Sequence, residues 1–165
     1  MKPQEREAIF RRWTADHTAM IARAVRGFAA DSTDRDDLQQ EMLLALWKAI
    51  PAFRHESKAS TYIYRVLHNT ALTWFRRSRK AHAEPMVAPD ELMDTRTDAN
   101  RLLGLIHDHI HALGAVDRSL MLLSLEGLSY AEIADVHGIQ PNHVGVRLHR
   151  LRQQLLDNLR VQIDD

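Results

Sequence analysis

The chain of 165 residues contains no cysteine and no long hydrophobic run. Without cysteine, a disulfide framework, a thiolate metal site and a cysteine nucleophile are all excluded. The longest nearly apolar run covers residues 42–47, far fewer than the roughly 20 that a membrane-spanning helix needs. The first residues are charged and lack the apolar stretch of a signal peptide. We therefore expect a cytoplasmic protein without direct membrane insertion.

Motifs of enzyme active sites are also missing. There is no Walker loop, no G-x-S-x-G, no G-x-G-x-x-G and no H-E-x-x-H. His107 and His111 are four residues apart on one predicted helix face, but two imidazoles without a third ligand make a weak metal site. We expect no catalytic residue, no bound metal and no cofactor.

The net charge is zero, but the charges are unevenly distributed. Residues 1–80 hold 15 Lys and Arg against 9 Asp and Glu, and the remainder holds 7 against 13. Residues 54–80 alone carry 7 positive charges and 1 negative charge. Such asymmetry is typical of a protein with a polyanionic partner, although solvated helix faces would also produce it.

Apolar residues recur every three or four positions, which predicts an all-α protein. Residues 81–98 hold two prolines, are acidic and show no period, so we expect a flexible linker. The chain then divides into two small helical domains, residues 1–80 and 99–165. The expected helices cover about residues 4–28, 36–50, 60–79, 99–113, 116–125, 129–138 and 141–160.

The helix at 36–50 has two unlike faces when unrolled at 100° per residue. Its core stripe consists of Leu38, Met42, Ala45, Leu46 and Ala49. An aliphatic and an aromatic side chain among polar residues on the opposite face predict a protein-binding surface. That face consists of Asp37, Gln40, Glu41, Leu44, Trp47 and Lys48. The alternative is that the first helix or the linker covers Trp47.

Residues 58–80 combine aromatic and basic side chains. Rings on which bases stack, together with cations that neutralise phosphates, suit single-stranded or opened nucleic acid. The alternative is a set of ordinary core aromatics followed by a solvated basic end.

Residues 126–152 have the form of a helix-turn-helix. Ser129 and Glu132 form a capping box, Gly138 ends the short helix, and Pro141 begins the next. In that last helix one stripe is apolar, and the opposite side presents amide, imidazole and guanidinium groups that read base edges in a major groove. The alternative is a purely structural helical hairpin. The outward set is Asn142, Val146, His149 and Gln153, flanked by His143, Arg147 and Arg150.

Two segments, DDLQQEMLLALWKAIPAFRHESKASTYIYRVLHNTALTWFRRSRK and LEGLSYAEIADVHGIQPNHVGVRLHRLRQQL, resemble the bacterial RNA polymerase sigma factors of the extracytoplasmic-function (ECF) group. The resemblance implies a non-enzymatic subunit that binds core RNA polymerase and directs transcription from promoters with −35 and −10 elements. It also implies an inhibitory anti-sigma partner, often membrane-bound. The alternative is a helix-turn-helix regulator that is not a polymerase subunit.

The resemblance assigns roles to three sets of residues. Polymerase binding falls on Asp37, Gln40, Glu41, Leu44, Trp47 and Lys48. Opening of the −10 element and capture of a flipped base fall on Lys58, Ser60, Thr61, Tyr62, Arg65 and Asn69. Contact with the phosphates of the melted −10 DNA falls on Arg76, Arg77 and Arg79. Recognition of the duplex −35 element falls on Asn142, His143, Val146, Arg147, His149 and Arg150.

The chain also departs from the family pattern. Ala59 stands where the family often has Phe, and His68 stands where Arg is common. The recognition helix reads P-N-H-V-G-V-R-L in place of the frequent V-x-T-V-K-S-R-L. The bases of the promoter are therefore not predicted.

Overall fold

The computed structural model describes the backbone of residues 1–81 and 98–164 and the side chains of 1–79 and 98–162. Within these ranges the secondary structure is helical, which confirms the all-α prediction. Most of the expected linker lies outside the described residues. The helices are α1 (Pro3–Asp16), α2 (Thr18–Phe28), α3 (Ser32–Ala49), α4 (Ala59–Ala81), α5 (Asp98–Ala112), α6 (Ala115–Leu125), α7 (Tyr130–His137) and α8 (Pro141–Asp164), with a 3₁₀ turn at Ile50–Ala52.

The prediction of one continuous first helix over residues 4–28 is wrong, because the helix breaks at His17. The backbone of His17 has φ −121° and ψ 21°, outside the helical region. The hydroxyl groups of Thr14 and Thr18 donate to carbonyls one turn earlier, an interaction that bends helices. The break lets α1 pack against α3 while α2 turns its apolar face toward α3, α4 and α6.

The N-terminal core forms where α3 packs against α4. Leu38, Met42 and Leu46 of α3 are fully buried, as are Ile63 and Leu67 of α4. This confirms the predicted core stripe of α3, since its three largest residues face inward.

The start of α3 differs from the prediction. It begins at Ser32, four residues before the predicted start, because Asp31 caps it. The Asp31 side chain accepts a hydrogen bond from the backbone N–H of Asp34 at 2.8 Å, which satisfies one of the donors left free in a first helical turn.

The helix-turn-helix follows its local sequence signals. Ser129 and Glu132 form both hydrogen bonds of the capping box. Gly138 has φ 66°, a left-handed conformation that glycine adopts without strain, and it ends α7. Pro141 begins α8, where its missing N–H has no intrahelical partner to lose.

The two helical units lie against each other. From the N-terminal half, α4 contacts α6 and α7, and α2 contacts α5 and α6. Gly27 permits a close approach at this boundary, because a Cβ atom there would lie 2.5 Å from Cδ1 of Leu122. The charged groups of Arg23 and Glu126 also pair across it, and the hydroxyl of Tyr64 donates to Glu126 at 2.9 Å.

Candidate nucleic-acid and protein interfaces

The outer face of α3 presents an exposed leucine among polar side chains. Leu44 is 51% exposed, whereas its core neighbours Met42 and Leu46 are fully buried. Asp37, Gln40 and Lys48 are also exposed. An exposed aliphatic side chain at the centre of a polar rim is the composition expected of a protein-docking surface.

Trp47 borders this surface and is partly covered by α1. The Phe10 ring lies edge-on to the indole with centroids 5.4 Å apart, and the Arg6 guanidinium carbon lies 4.4 Å from the indole centroid. Arg6 also donates to the carbonyl of Trp47 at 2.6 Å. The alternative that the first helix covers Trp47 therefore holds in part, because the indole is half-buried. Leu44 remains accessible beside it.

Two acidic residues of the set predicted to bind polymerase contact side chains of α4. Asp37 accepts a hydrogen bond from the indole N–H of Trp74 at 2.8 Å, and Glu41 forms an ion pair with Arg77. The sequence predicted polymerase contact for Glu41 and DNA contact for Arg77. The structure brings these two side chains together, so the α3 surface and the basic end of α4 are linked. Residue spacing carries no signal for this pair, because the partners are 36 positions apart.

Part of the set predicted for −10 DNA shares one face of α4. Lys58, Arg65, Asn69 and Arg76 follow one another at intervals of seven, four and seven residues, which places them on one side of a helix. All but the half-buried Arg65 are exposed. The face is cationic and accessible along nearly five turns of helix.

The other members of that set lie elsewhere. Thr61 is buried, with 7% of its surface exposed, and Ser60 is half-buried. The hydroxyl of Tyr62 donates to the carbonyl of Ala49 at 3.0 Å, and its ring packs 5.0 Å from the ring of Phe53. Arg79 is exposed, with its guanidinium 5.4 Å from the Phe75 ring.

The predicted recognition helix α8 has the two faces expected from its sequence. Val144, Leu148 and Leu151 are buried on one side. On the other side the exposed residues are Asn142, His143, Val146, His149 and Arg150. Val146 is 70% exposed, suited to apolar contact with a thymine methyl group.

Arg147 differs from its neighbours on α8. It is half-buried and forms an ion pair with Asp117 of α6 at 2.6 Å. Gly145 is also constrained, because a Cβ atom there would approach the Tyr130 ring to 3.2 Å. These contacts hold α8 against α6 and α7.

Several polar residues inside the boundary between the halves were not singled out as functional by the sequence. His68, Ser119 and His137 form a hydrogen-bonded chain. Burial raises the pKa of Tyr64, and the hydrogen bond to Glu126 acts in the same direction. The only sequence signal for this cluster is His68, which departs from the arginine common in the family.

The described residues contain no group of three or more His, Asp and Glu side chains arranged to hold a metal ion. The rings of His107 and His111 do come together, with centroids 4.2 Å apart. None of the helices in the described ranges has the length and apolarity required to cross a bilayer.

Comparison with known proteins matches each half of the chain to a protein family. Residues 14–81 match the family Sigma-70 region 2, and residues 103–155 match the family Sigma-70, region 4. The ECF RNA polymerase sigma-E factor of Haemophilus influenzae is 30% identical over 137 residues, which cover 74% of this chain and 72% of that protein. The RNA polymerase sigma factor YlaC of Bacillus subtilis is 27% identical over 138 residues, covering 74% and 76%.

Two solved structures share the fold. CnrH in complex with the cytosolic domain of CnrY has a TM-score of 0.69 at 24% identity, covering 94% of this chain and 90% of that one. The sigma factor RpoE of Bartonella quintana, in complex with the anti-sigma factor NepR, has a TM-score of 0.73 at 18% identity, covering 92% and 97%.

The matched regions and relatives define a class of non-enzymatic transcription factors, the sigma-70 proteins. Within that class, this chain belongs to the ECF RNA polymerase sigma factors, and its function is promoter-specific initiation of transcription by RNA polymerase.

Proposed function

We propose that three surfaces of this chain each bind a different partner during the initiation of transcription. The α3 surface centred on Leu44 binds core RNA polymerase, the cationic face of α4 binds the melted −10 strand, and the exposed face of α8 reads the −35 duplex. The observation that carries the proposal is the order and accessibility of these three faces. Each presents exposed side chains of the chemistry that its partner requires.

The α4 face suits a single strand because its charges are spaced along the helix. Lys58 and Arg76 lie 18 positions apart, or about 27 Å at 1.5 Å per residue. Asn69 lies between them and offers an amide that can donate and accept hydrogen bonds with a base. Cations at both ends neutralise phosphates, while the amide supplies a polar contact in the middle.

The α8 face suits a major groove because it combines apolar and polar groups near a helix N-terminus. Asn142 and His143 are in the first turn, and Val146 and Arg150 follow on the same side. An arginine can contact guanine with two hydrogen bonds, and an asparagine can do the same with adenine.

An inhibitory protein that binds this chain is also part of the proposal. The two solved structures that share this fold are complexes with CnrY and with the anti-sigma factor NepR. By analogy, we propose that an anti-sigma protein binds this chain and withholds it from polymerase.

Binding to core polymerase and to DNA can be measured separately. The protein mixed with core RNA polymerase is expected to co-elute with it from a sizing column, and the mixture is expected to retain promoter DNA that neither component retains alone. Free protein at its usual elution volume, with no retained DNA, would overturn the proposal. Retention of specific DNA without co-elution would instead support a regulator that is not a polymerase subunit.

A further inference from the structure

Three polar side chains, of which two are buried and His137 is half-buried, connect the two halves of the protein. His68 of α4 is 2% exposed, and Ser119 of α6 is fully buried. Nδ1 of His68 lies 2.6 Å from Oγ of Ser119, and that oxygen lies 2.8 Å from Nε2 of His137 on α7. One hydroxyl group therefore joins an imidazole of the N-terminal half to an imidazole of the C-terminal half.

The hydrogen bonds of this network exclude a state in which both histidines are protonated. A serine hydroxyl donates one hydrogen bond, so it can donate to one imidazole nitrogen and accept from the N–H of the other. If both imidazoles were protonated, both nitrogens facing Ser119 would carry hydrogen and the hydroxyl would have no acceptor. Two positive charges would also be held in a buried site, which is costly without counter-charges.

The surroundings also disfavour protonated histidines. The rings of Phe28 and Tyr64 lie with centroids 5.7 and 6.2 Å from the ring of His68. Burial lowers the pKa of His68 to about 3, and the nearby His137 contributes.

The second histidine is affected in the same direction. Burial lowers the pKa of His137, and the positive charge of Arg147 on α8 adds to this effect. Arg147 is itself paired with Asp117 of α6, which offsets part of that charge.

We propose that the His68–Ser119–His137 network is an acid-sensitive latch that holds the helix-turn-helix half against α4. Thr61 lies seven residues, or about two turns, before His68 on the same side of α4, and it is buried. In the closed arrangement part of the proposed −10 segment is therefore withheld from DNA. This regulatory consequence rests on the proposed function, whereas the latch itself does not.

The direction of the pH dependence follows from proton linkage. When the halves separate, the pKa of His68 returns toward 6.5 because its ring becomes hydrated, and the pKa of His137 rises as its burial decreases, while Arg147 stays beside it. The open form therefore binds protons that the closed form excludes. The closed form is fully favoured above that pH and loses its advantage as the pH falls. Between pH 7.5 and 5.5 the ratio of closed to open molecules is expected to fall about tenfold because of His68, whose pKa is about 3 in the closed form, and by a further factor of at most about ten because of His137.

The absence of cysteine makes the separation of the halves directly measurable. The substitutions Ala19→Cys on α2 and Gln154→Cys on α8 are both at exposed positions and provide two labelling sites for energy transfer in the full-length chain. The transfer efficiency is measured from pH 7.5 to 5.5, a range above the usual pKa of carboxyl groups, about 4. The same measurement is made on His137→Gln and on the control His17→Gln. His17 is at the break between α1 and α2 and is not a member of the hydrogen-bonded network.

We expect transfer to decrease toward pH 5.5 in the labelled parent and in His17→Gln. In His137→Gln the pH-dependent change in the equilibrium is expected to be smaller, by at most about tenfold. Efficiency that is constant over this range in the labelled parent, with helicity unchanged, would overturn the latch. So would an undiminished response in His137→Gln. If His137→Gln lacks native helicity by circular dichroism, His68→Gln replaces it with the same two outcomes. None of these measurements uses polymerase or DNA, so a failure of the proposed function leaves them unaffected.

Discussion

The exposed Leu44 side chain offers a direct test of where core polymerase binds. A leucine side chain contributes about 1.5–3 kcal/mol when it is fully buried. Because Leu44 is 51% exposed in the structure, docking can bury about half of its surface. That burial contributes about 1 kcal/mol to the free energy of binding. The substitution Leu44→Ala is therefore expected to weaken binding of core polymerase about fivefold to tenfold. Leu44→Asp places an unpaired charge in the interface and is expected to weaken it about 100-fold or more.

The assay is fluorescence anisotropy of the labelled protein titrated with core polymerase. The matched control is Leu156→Ala on α8, because Leu156 is 46% exposed and lies outside the α3 surface. Because both leucines are about half-buried in the folded protein, both substitutions to Ala are expected to lower the free energy of unfolding by a similar amount, about 1 kcal/mol, which urea denaturation checks. Unchanged polymerase affinity in Leu44→Asp, with normal folding, would refute the assignment of this surface.

Three further predictions concern DNA binding and stability. Arg76→Ala is expected to weaken binding of the polymerase complex to a single-stranded −10 oligonucleotide and to reduce the slope of log affinity against log salt by about 0.7; an unchanged slope would exclude a phosphate contact. Arg150→Ala is expected to reduce discrimination between −35 sequences by about 1–3 kcal/mol, measured by competition between duplexes, and retained discrimination would contradict base contact. Ser129→Ala removes the capping box of α7 and is expected to lower the free energy of unfolding by about 1 kcal/mol in urea, with Ser32→Ala at the exposed start of α3 as a control for loss of a hydroxyl; equal stability in the two variants would contradict the cap.

The helix-turn-helix could be predicted from its sequence because local chemistry determines it. The side chains of Ser129 and Glu132 satisfy the first turn of α7, and Gly138 adopts the left-handed conformation that ends it. The inward residues of α8 follow the helical period without interruption. In such segments the apolar spacing alone identifies the exposed face.

Features that depend on tertiary packing could not be predicted in this way. The break at His17 separates two helices that pack on different neighbours, although the apolar stripe continues across it. The ion pair of Glu41 with Arg77 and the chain from His68 to His137 join residues far apart in sequence. Neither periodicity nor capping signals specify such long-range partners.

The sigma-factor role is best tested by sequencing the 5′ ends of transcripts made by core RNA polymerase with and without this protein. We expect new start sites that appear only with the protein and share two sequence elements, near −35 and −10. The protein with Leu44→Asp is expected to produce none of them. Identical sets of start sites with and without the protein would show that it does not direct initiation.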